Sequence, residues 1–223
     1  RTQTLYAADN NLGLLRFDML SGRLEENIPN TDITNPIEIA IGLEGKVYIG
    51  DIGCGCIHIF HNNEWQDPIT GLGDDAPLSI TTTPDGVLYA TDTDGFDFFV
   101  QRYSTNEETG QLEQTTLVIN ELLDEQPILF EDMGLLHFLT SIGDVFQWTD
   151  TSFELVNTLE LEQSPLAVDV SADGTYVIAS VSNLDFSLMN PTGIGGLQTA
   201  ERRLENEVMQ EEEWETQSER MAS

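Results

Sequence analysis

The sequence predicts an all-β fold built from a repeated four-stranded unit, and three observations predict it. A proline leads an alternating strand four times, at Pro36, Pro77, Pro127 and Pro165, spaced 41, 50 and 38 residues apart. A glycine-bearing turn follows each one: Glu44-Gly45, Pro84-Asp85-Gly86, Met133-Gly134 and Ala172-Asp173-Gly174. Behind each turn stands a strand apolar on both faces: Val47-Tyr48-Ile49, Val87-Leu88-Tyr89-Ala90, Leu135 to Leu139 and Tyr176 to Ala179. A strand of that kind is sandwiched between sheets. A period of about forty residues carrying four short strands is that of a β-propeller blade.

Each element has a local reason. Proline cannot donate to a ladder, so it suits the first residue of an edge strand. Asp-Gly and its relatives supply the positive φ that a two-residue hairpin demands. The third strands, Ile57 to Phe60, Phe98 to Tyr103 and Val145 to Trp148, run out into polar residues. The N-terminus supplies a fifth unit that starts at its second strand: Leu5 to Ala8, then Leu14 to Asp18, then Ser21 to Leu24. The reading is five four-stranded blades over residues 1–189, closed into a ring where the chain ends meet. Closure removes the free sheet edges that template aggregation.

Residues 190–196, Asn-Pro-Thr-Gly-Ile-Gly-Gly, form a breaker-rich linker. Residues 197–223 read as an acidic helical tail without Gly or Pro. Leu197, Leu204 and Val208 mark its thin apolar face, and Trp214 is an anchor near the far end. These four are the candidate partner-binding residues, for another protein or a second copy of this chain. A solvated tail is the plainer reading.

The Pro…Asp-Gly…Leu-Tyr-Ala-Thr cadence and the Val100-Gln101-Arg102-Tyr103 strand resemble the NHL-repeat and gluconolactonase-like propellers. The resemblance covers residues 1 to about 190. It implies a disc with a central channel. For the enzymes of that group it implies a Glu/Asn/Asp set around a divalent metal at the channel mouth. Two residues after the prolines stand Glu38, Ser79, Leu129 and Ala167; four after stand Ala40, Thr81, Glu131 and Asp169. No position gives a full ring of ligands, although Glu38 and Asp169 could contribute.

Charge narrows the partners. Asp plus Glu number 40 against 8 Lys plus Arg, a net charge of −32, and Lys46 is the one lysine. Such a surface repels nucleic acid, which is bound by clustered Lys and Arg. It also disfavours anionic membranes, and no apolar run reaches the ~20 residues of a membrane helix. Abundant carboxylates with scarce lysine match a halophilic or marine composition. That points to an extracellular surface, a virion, or the cytoplasm of a salt-accumulating cell.

Two groups invite a metal reading. Asp9, Asp51, Asp92 and Asp94 lie in turns after second strands, all on one rim, and Ca²⁺ takes six to eight such oxygens. The plainer reading is solvated turn carboxylates, with no cofactor. Cys54, Cys56, His58 and His61, within eight residues, offer softer ligands, with His61 on the other face of an extended strand. One intervening residue argues against a mutual disulfide. On an extended strand Cys54 and His58 stand ~13 Å apart, too far for ligands at ~2.0–2.3 Å from one zinc. Only a bulge at Gly53 or Gly55 would unite them. His137, inside an apolar run, reads as a core histidine. No nucleophile elbow, phosphate loop or zinc-protease motif is present. The functional expectation is therefore a non-catalytic binding or structural module of a larger assembly. The alternative is a metal-dependent, gluconolactonase-like hydrolase.

Overall fold

In the computed structural model, residues 4–73, 76–93, 97–106, 112–118, 127–161, 164–170, 175–180 and 186–189 are described. They form 18 strands in five antiparallel sheets, each with its strands in chain order. The first sheet holds β1 (Thr4–Asp9), β2 (Gly13–Asp18) and β3 (Leu24–Ile28). The second holds β4 (Pro36–Ile41), β5 (Val47–Asp51), β6 (Cys56–His61) and β7 (Glu64–Thr70). The third holds β8 (Ile80–Thr82), β9 (Leu88–Thr93), β10 (Phe98–Thr105) and β11 (Leu112–Val118). The fourth holds β12 (Ile128–Asp132), β13 (Leu135–Leu139), β14 (Asp144–Trp148) and β15 (Phe153–Thr158). The fifth holds β16 (Pro165–Val170), β17 (Tyr176–Ser180) and β18 (Phe186–Met189).

The turns behave as their residues dictate. Glu44 and Gly45 have φ of 57° and 74°, and Met133 and Gly134 have 52° and 84°. At Met133-Gly134 these paired left-handed conformations match the twist of a two-residue hairpin, whereas Glu44-Gly45 lies in a longer connection with a 3-10 turn at Leu43–Gly45. The turn at 172–174 lies outside the described residues, as do the linker and the helical tail.

One rule of alternation generates the core. In β5, β9 and β13 the pairs Val47/Ile49, Leu88/Ala90 and Leu136/Phe138 face the preceding sheet, and the residue between each pair faces the following one. Val47 and Ile49 pack with Leu14, Ile33 and Phe60 between the first two sheets. Tyr48 points the other way, onto Ile80, Leu88, Ala90 and Tyr103. Tyr89 in turn meets Leu136, Phe138 and Phe146. Tyr176 and Ile178 meet Phe130, Leu139 and Val145. Four cores thus lie between five sheets, and each middle sheet is apolar on both faces.

The axial strands touch in the order β1, β4, β8, β12, β16. Together they surround one cavity of about 390 Å³, lined from Ala8 through Ile37, Leu78 and Ile128 to Leu166. The expected pairing of chain ends is not among the contacts of the described residues.

The first sheet departs from the others in an informative way. β1 reads Leu5-Tyr6-Ala7-Ala8-Asp9, in step with Val47 to Asp51 of β5 and Leu88 to Asp92 of β9. It is a second strand by sequence, yet it stands at the axial edge of its sheet. Its leading residue shows the consequence. Val47, Leu88, Leu136 and Tyr176 are 0%, 1%, 2% and 3% exposed, whereas Leu5 is 54% exposed. On β16, Leu166 is 61% exposed, but it stands one residue after its proline, as Ile37 does at 38%, and both line the axial cavity. Among the described residues, the first sheet leaves the apolar side chain of Leu5 uncovered.

Candidate functional site

The axial strands are edge strands, so half of their backbone N–H groups have no ladder partner. Side chains two residues after the prolines satisfy some of them. Glu38 Oε2 accepts from Ile80 N at 2.6 Å, and Ser79 Oγ accepts from Leu129 N at 2.9 Å. Each therefore stitches one sheet to the next across the axis. Leu129 and Ala167, at the same place in the later repeats, cannot do this. The sequence shows that the position is not a ligand ring; it does not show that it is a seam.

The channel is apolar on one side of Glu38 and acidic on the other. Glu38, Glu131 and Asp169 line a second cavity of about 340 Å³, with Thr81, Thr82 and Phe130. Burial pushes the Glu38 carboxyl from its ordinary 4.5 up to about 7; the bonds from Ile80 and Ser79 oppose the rise and the Asp169 charge adds to it. A divalent ion held by oxygen needs several of them converging within about 2.5 Å. Among the described residues, the one cluster of three potential ligands within 4.8 Å of one another is elsewhere, at Cys54, Cys56 and His58.

The rim aspartates share a position and a task. Asp9, Asp51 and Asp92 each end a second strand. Asp9 Oδ1 accepts from the backbone of Asn11 and Leu12. Asp51 is fully buried and accepts from the N–H of Thr34 at 2.6 Å, and of Asn35 and Gly53 at 2.8 Å. Asp92 accepts from Gly73 N at 2.8 Å and from Gln101 Nε2 at 2.8 Å. In the second and third sheets the aspartate fastens the loop that enters the first strand. Burial raises the Asp51 carboxyl, but the bonds from Thr34, Asn35, Gly53 and His58 together hold it below the usual range. Asp94 lies outside the described residues, as do Leu197, Leu204, Val208 and Trp214.

The cysteine motif is the clearest correction. Cys54 and Cys56 are joined as a disulfide, with Cα atoms 5.2 Å apart. The expectation of 13 Å between Cys54 and His58 also fails: Nε2 of His58 lies 3.8 Å from Cys54 Sγ and 3.6 Å from Cys56 Sγ. The reason is that Cys54 is not on a strand. It sits in the turn between β5 and β6, where Gly55 adopts φ of 60° and folds the chain back. That conformation is strained for most other residues. A Cβ on Gly55 would also come within 3.2 Å of the Leu72 and Gly73 carbonyls. His137 is buried, stacked on Phe130 at 5.2 Å and bonded to the Leu135 carbonyl, which fits a core histidine.

No protein-family model and no curated protein matches the sequence. Solved structures do match in three dimensions. A gluconolactonase from Xanthomonas campestris superposes with a TM-score of 0.64 at 14% identity, over 89% of this chain and 73% of its own. Virginiamycin B lyase from Staphylococcus aureus, solved with quinupristin, gives 0.59 at 13% identity, over 86% and 69%. The WD40 repeats of RRP9 give 0.61 at 16% identity, over 85% and 57%. The fold is a β-propeller. Identities this low carry no function across. The propeller here spans 57% to 73% of the lengths of those three chains.

The half-buried Glu38 of this propeller makes a pH-dependent prediction. A carboxyl with a higher pKa folded than unfolded favours the fold while protonated. Its contribution is full below about 4.5 and is lost as pH rises through about 7. Glu38→Gln keeps an acceptor for Ile80 N and removes the charge. The variant should match the parent near pH 4.5 and exceed it by about 1–2 kcal/mol at pH 8. Urea melts of both proteins across that range check it; parallel pH profiles would show that Glu38 ionises freely.

Proposed function

We propose that this propeller is a non-catalytic binding or structural module of a larger assembly, held there through the uncovered face of its first sheet. The observation that carries this reading is the 54% exposure of Leu5 at a position whose repeat equivalents Val47, Leu88, Leu136 and Tyr176 are buried. Interfaces place apolar residues at their centre, and a bare propeller face is shaped to take another sheet. The tail residues Leu197, Leu204, Val208 and Trp214 are proposed as a second attachment, to a protein partner or a second copy. The charge of −32 supports a salty setting for the assembly, at a cell surface, in a virion, or in the cytoplasm of a salt-accumulating cell.

A second reading is favoured by one observation: Glu38, Glu131 and Asp169 line a single cavity in the channel. It makes the protein a metal-dependent hydrolase of the gluconolactonase type. Aldonolactones offered with Mg²⁺, Mn²⁺ or Ca²⁺ separate the two. Turnover that Glu38→Gln abolishes supports the hydrolase; no turnover with any of the three ions supports the binding module.

The module reading is tested by two substitutions at equivalent positions. Leu5→Asp should change the stability of the isolated chain by no more than about 0.5 kcal/mol. Val47→Asp should unfold it or cost more than ~4 kcal/mol. Sedimentation should show association that Leu5→Asp and removal of residues 197–223 each weaken. Equal destabilisation by both substitutions would place Leu5 in a closed core and end this reading.

The charge makes a separate prediction. Screening shortens to ~3 Å at about 1 M salt, so the melting temperature should climb between low and molar KCl. A flat profile would reject salt adaptation. A climb with millimolar Ca²⁺ alone would instead support a cation on the acidic rim of Asp9, Asp51, Asp92 and Asp94.

A further inference from the structure

We propose that Cys54, Cys56 and His58 form a thiol-gated site for a soft divalent ion such as Zn²⁺, closed while the disulfide is intact and opened by its reduction. The bridge has little to do as a staple. It closes a loop with a sequence separation of 2, and cross-links restrain the unfolded chain mainly when the loop is long. The surroundings, in contrast, are arranged around the sulfurs. His58 is 5% exposed and turns Nε2 toward both of them.

The spacing suits an ion. A tetrahedral zinc with sulfur at ~2.3 Å and nitrogen at ~2.0–2.1 Å holds those atoms ~3.6 Å apart. The observed separations from Nε2 are 3.6 and 3.8 Å. Once the sulfur–sulfur bond is broken, the two sulfurs must move apart and Nε2 must give up its bond to Asp51, the imidazole carrying its proton on Nδ1. Oδ2 of the buried Asp51 lies 3.2 Å from Nε2, so an ion would sit beside a fixed negative charge. Trp65 packs edge-on against the imidazole at 6.5 Å and limits its swing. Thiolate and imidazole select zinc-like ions over calcium. Cys54, the exposed member, gives both reductant and ion a way in.

The chemistry balances. A dithiol reductant supplies two electrons and two protons; the Cys54–Cys56 bond breaks, both become thiols, and the reductant closes its own disulfide. Binding of the ion then releases the two thiol protons. Three protein ligands leave one position for water or another donor.

Cobalt(II) is the probe, because thiolate-bound tetrahedral cobalt has sulfur-to-metal charge-transfer bands that carboxylate-bound cobalt lacks. The full chain is reduced with dithiothreitol, freed of it anaerobically, and titrated with Co²⁺ and then Zn²⁺. The expected result is one cobalt per chain with thiolate bands, bleached by one equivalent of Zn²⁺, and no such bands in the oxidised protein. Cys54→Ser, at the exposed position, should weaken binding at least as much as loss of an outer-shell partner does, about 10–100-fold. His58→Gln should weaken it while keeping sulfur bands. Absence of thiolate bands in the reduced parent would overturn the proposal. So would equal cobalt affinity in the parent and Cys54→Ser, which would assign the metal to surface carboxylates. Circular dichroism of each sample establishes that the sheets are intact.

Discussion

A sheet that is apolar on both faces has to be covered on both, and this constraint organises the whole molecule. In the middle three sheets the second strand sends Val47, Leu88 or Leu136 one way and Tyr48, Tyr89 or His137 the other. All six are buried. Burying a side chain of this size is worth roughly 1.5–3 kcal/mol. No sheet of the set could keep that gain alone, so the units wind side by side. The remaining devices hold them at the right angle: left-handed turns at Glu44-Gly45 and Met133-Gly134, and Asp51 and Asp92 fastening the loops that enter their own sheets.

The same constraint explains where the molecule is incomplete as a set of covered faces. The first sheet opens with a second-strand motif whose Leu5 is 54% exposed. Function is argued from that imbalance because the channel is occupied with structural duties. Glu38 and Ser79 each hold a backbone N–H of the neighbouring sheet. The channel still keeps an acidic half, and its carboxylates are what a hydrolase reading has to rest on.

The repeat was legible because it is written in backbone chemistry. Proline at strand starts, glycine at left-handed turns and doubly apolar strands all mark geometry directly. The cysteine cluster was misread because Cys54 was placed on a strand; two glycines in three residues, Gly53 and Gly55, were the signal that the chain reverses there. The duty of Asp51 was hidden for a different reason. Its partners Thr34 and Asn35 lie 17 and 16 residues away, and nothing local tells a buried loop fastener from a solvated turn carboxylate. The seam formed by Glu38 and Ser79 was hidden likewise, since its partners belong to the next repeat, 42 and 50 residues on.

The claim that the first sheet is open on its axial and outer sides is tested most directly by native-state hydrogen exchange on the isolated chain. The account predicts that amides of β5, β9 and β13 exchange only through global unfolding. The alternate amides of β1 that do not face β2 should exchange far faster, at a rate insensitive to small amounts of denaturant. Protection of those β1 amides equal to that of β5 in a monomeric sample would contradict it, because it would mean that the ring is already closed.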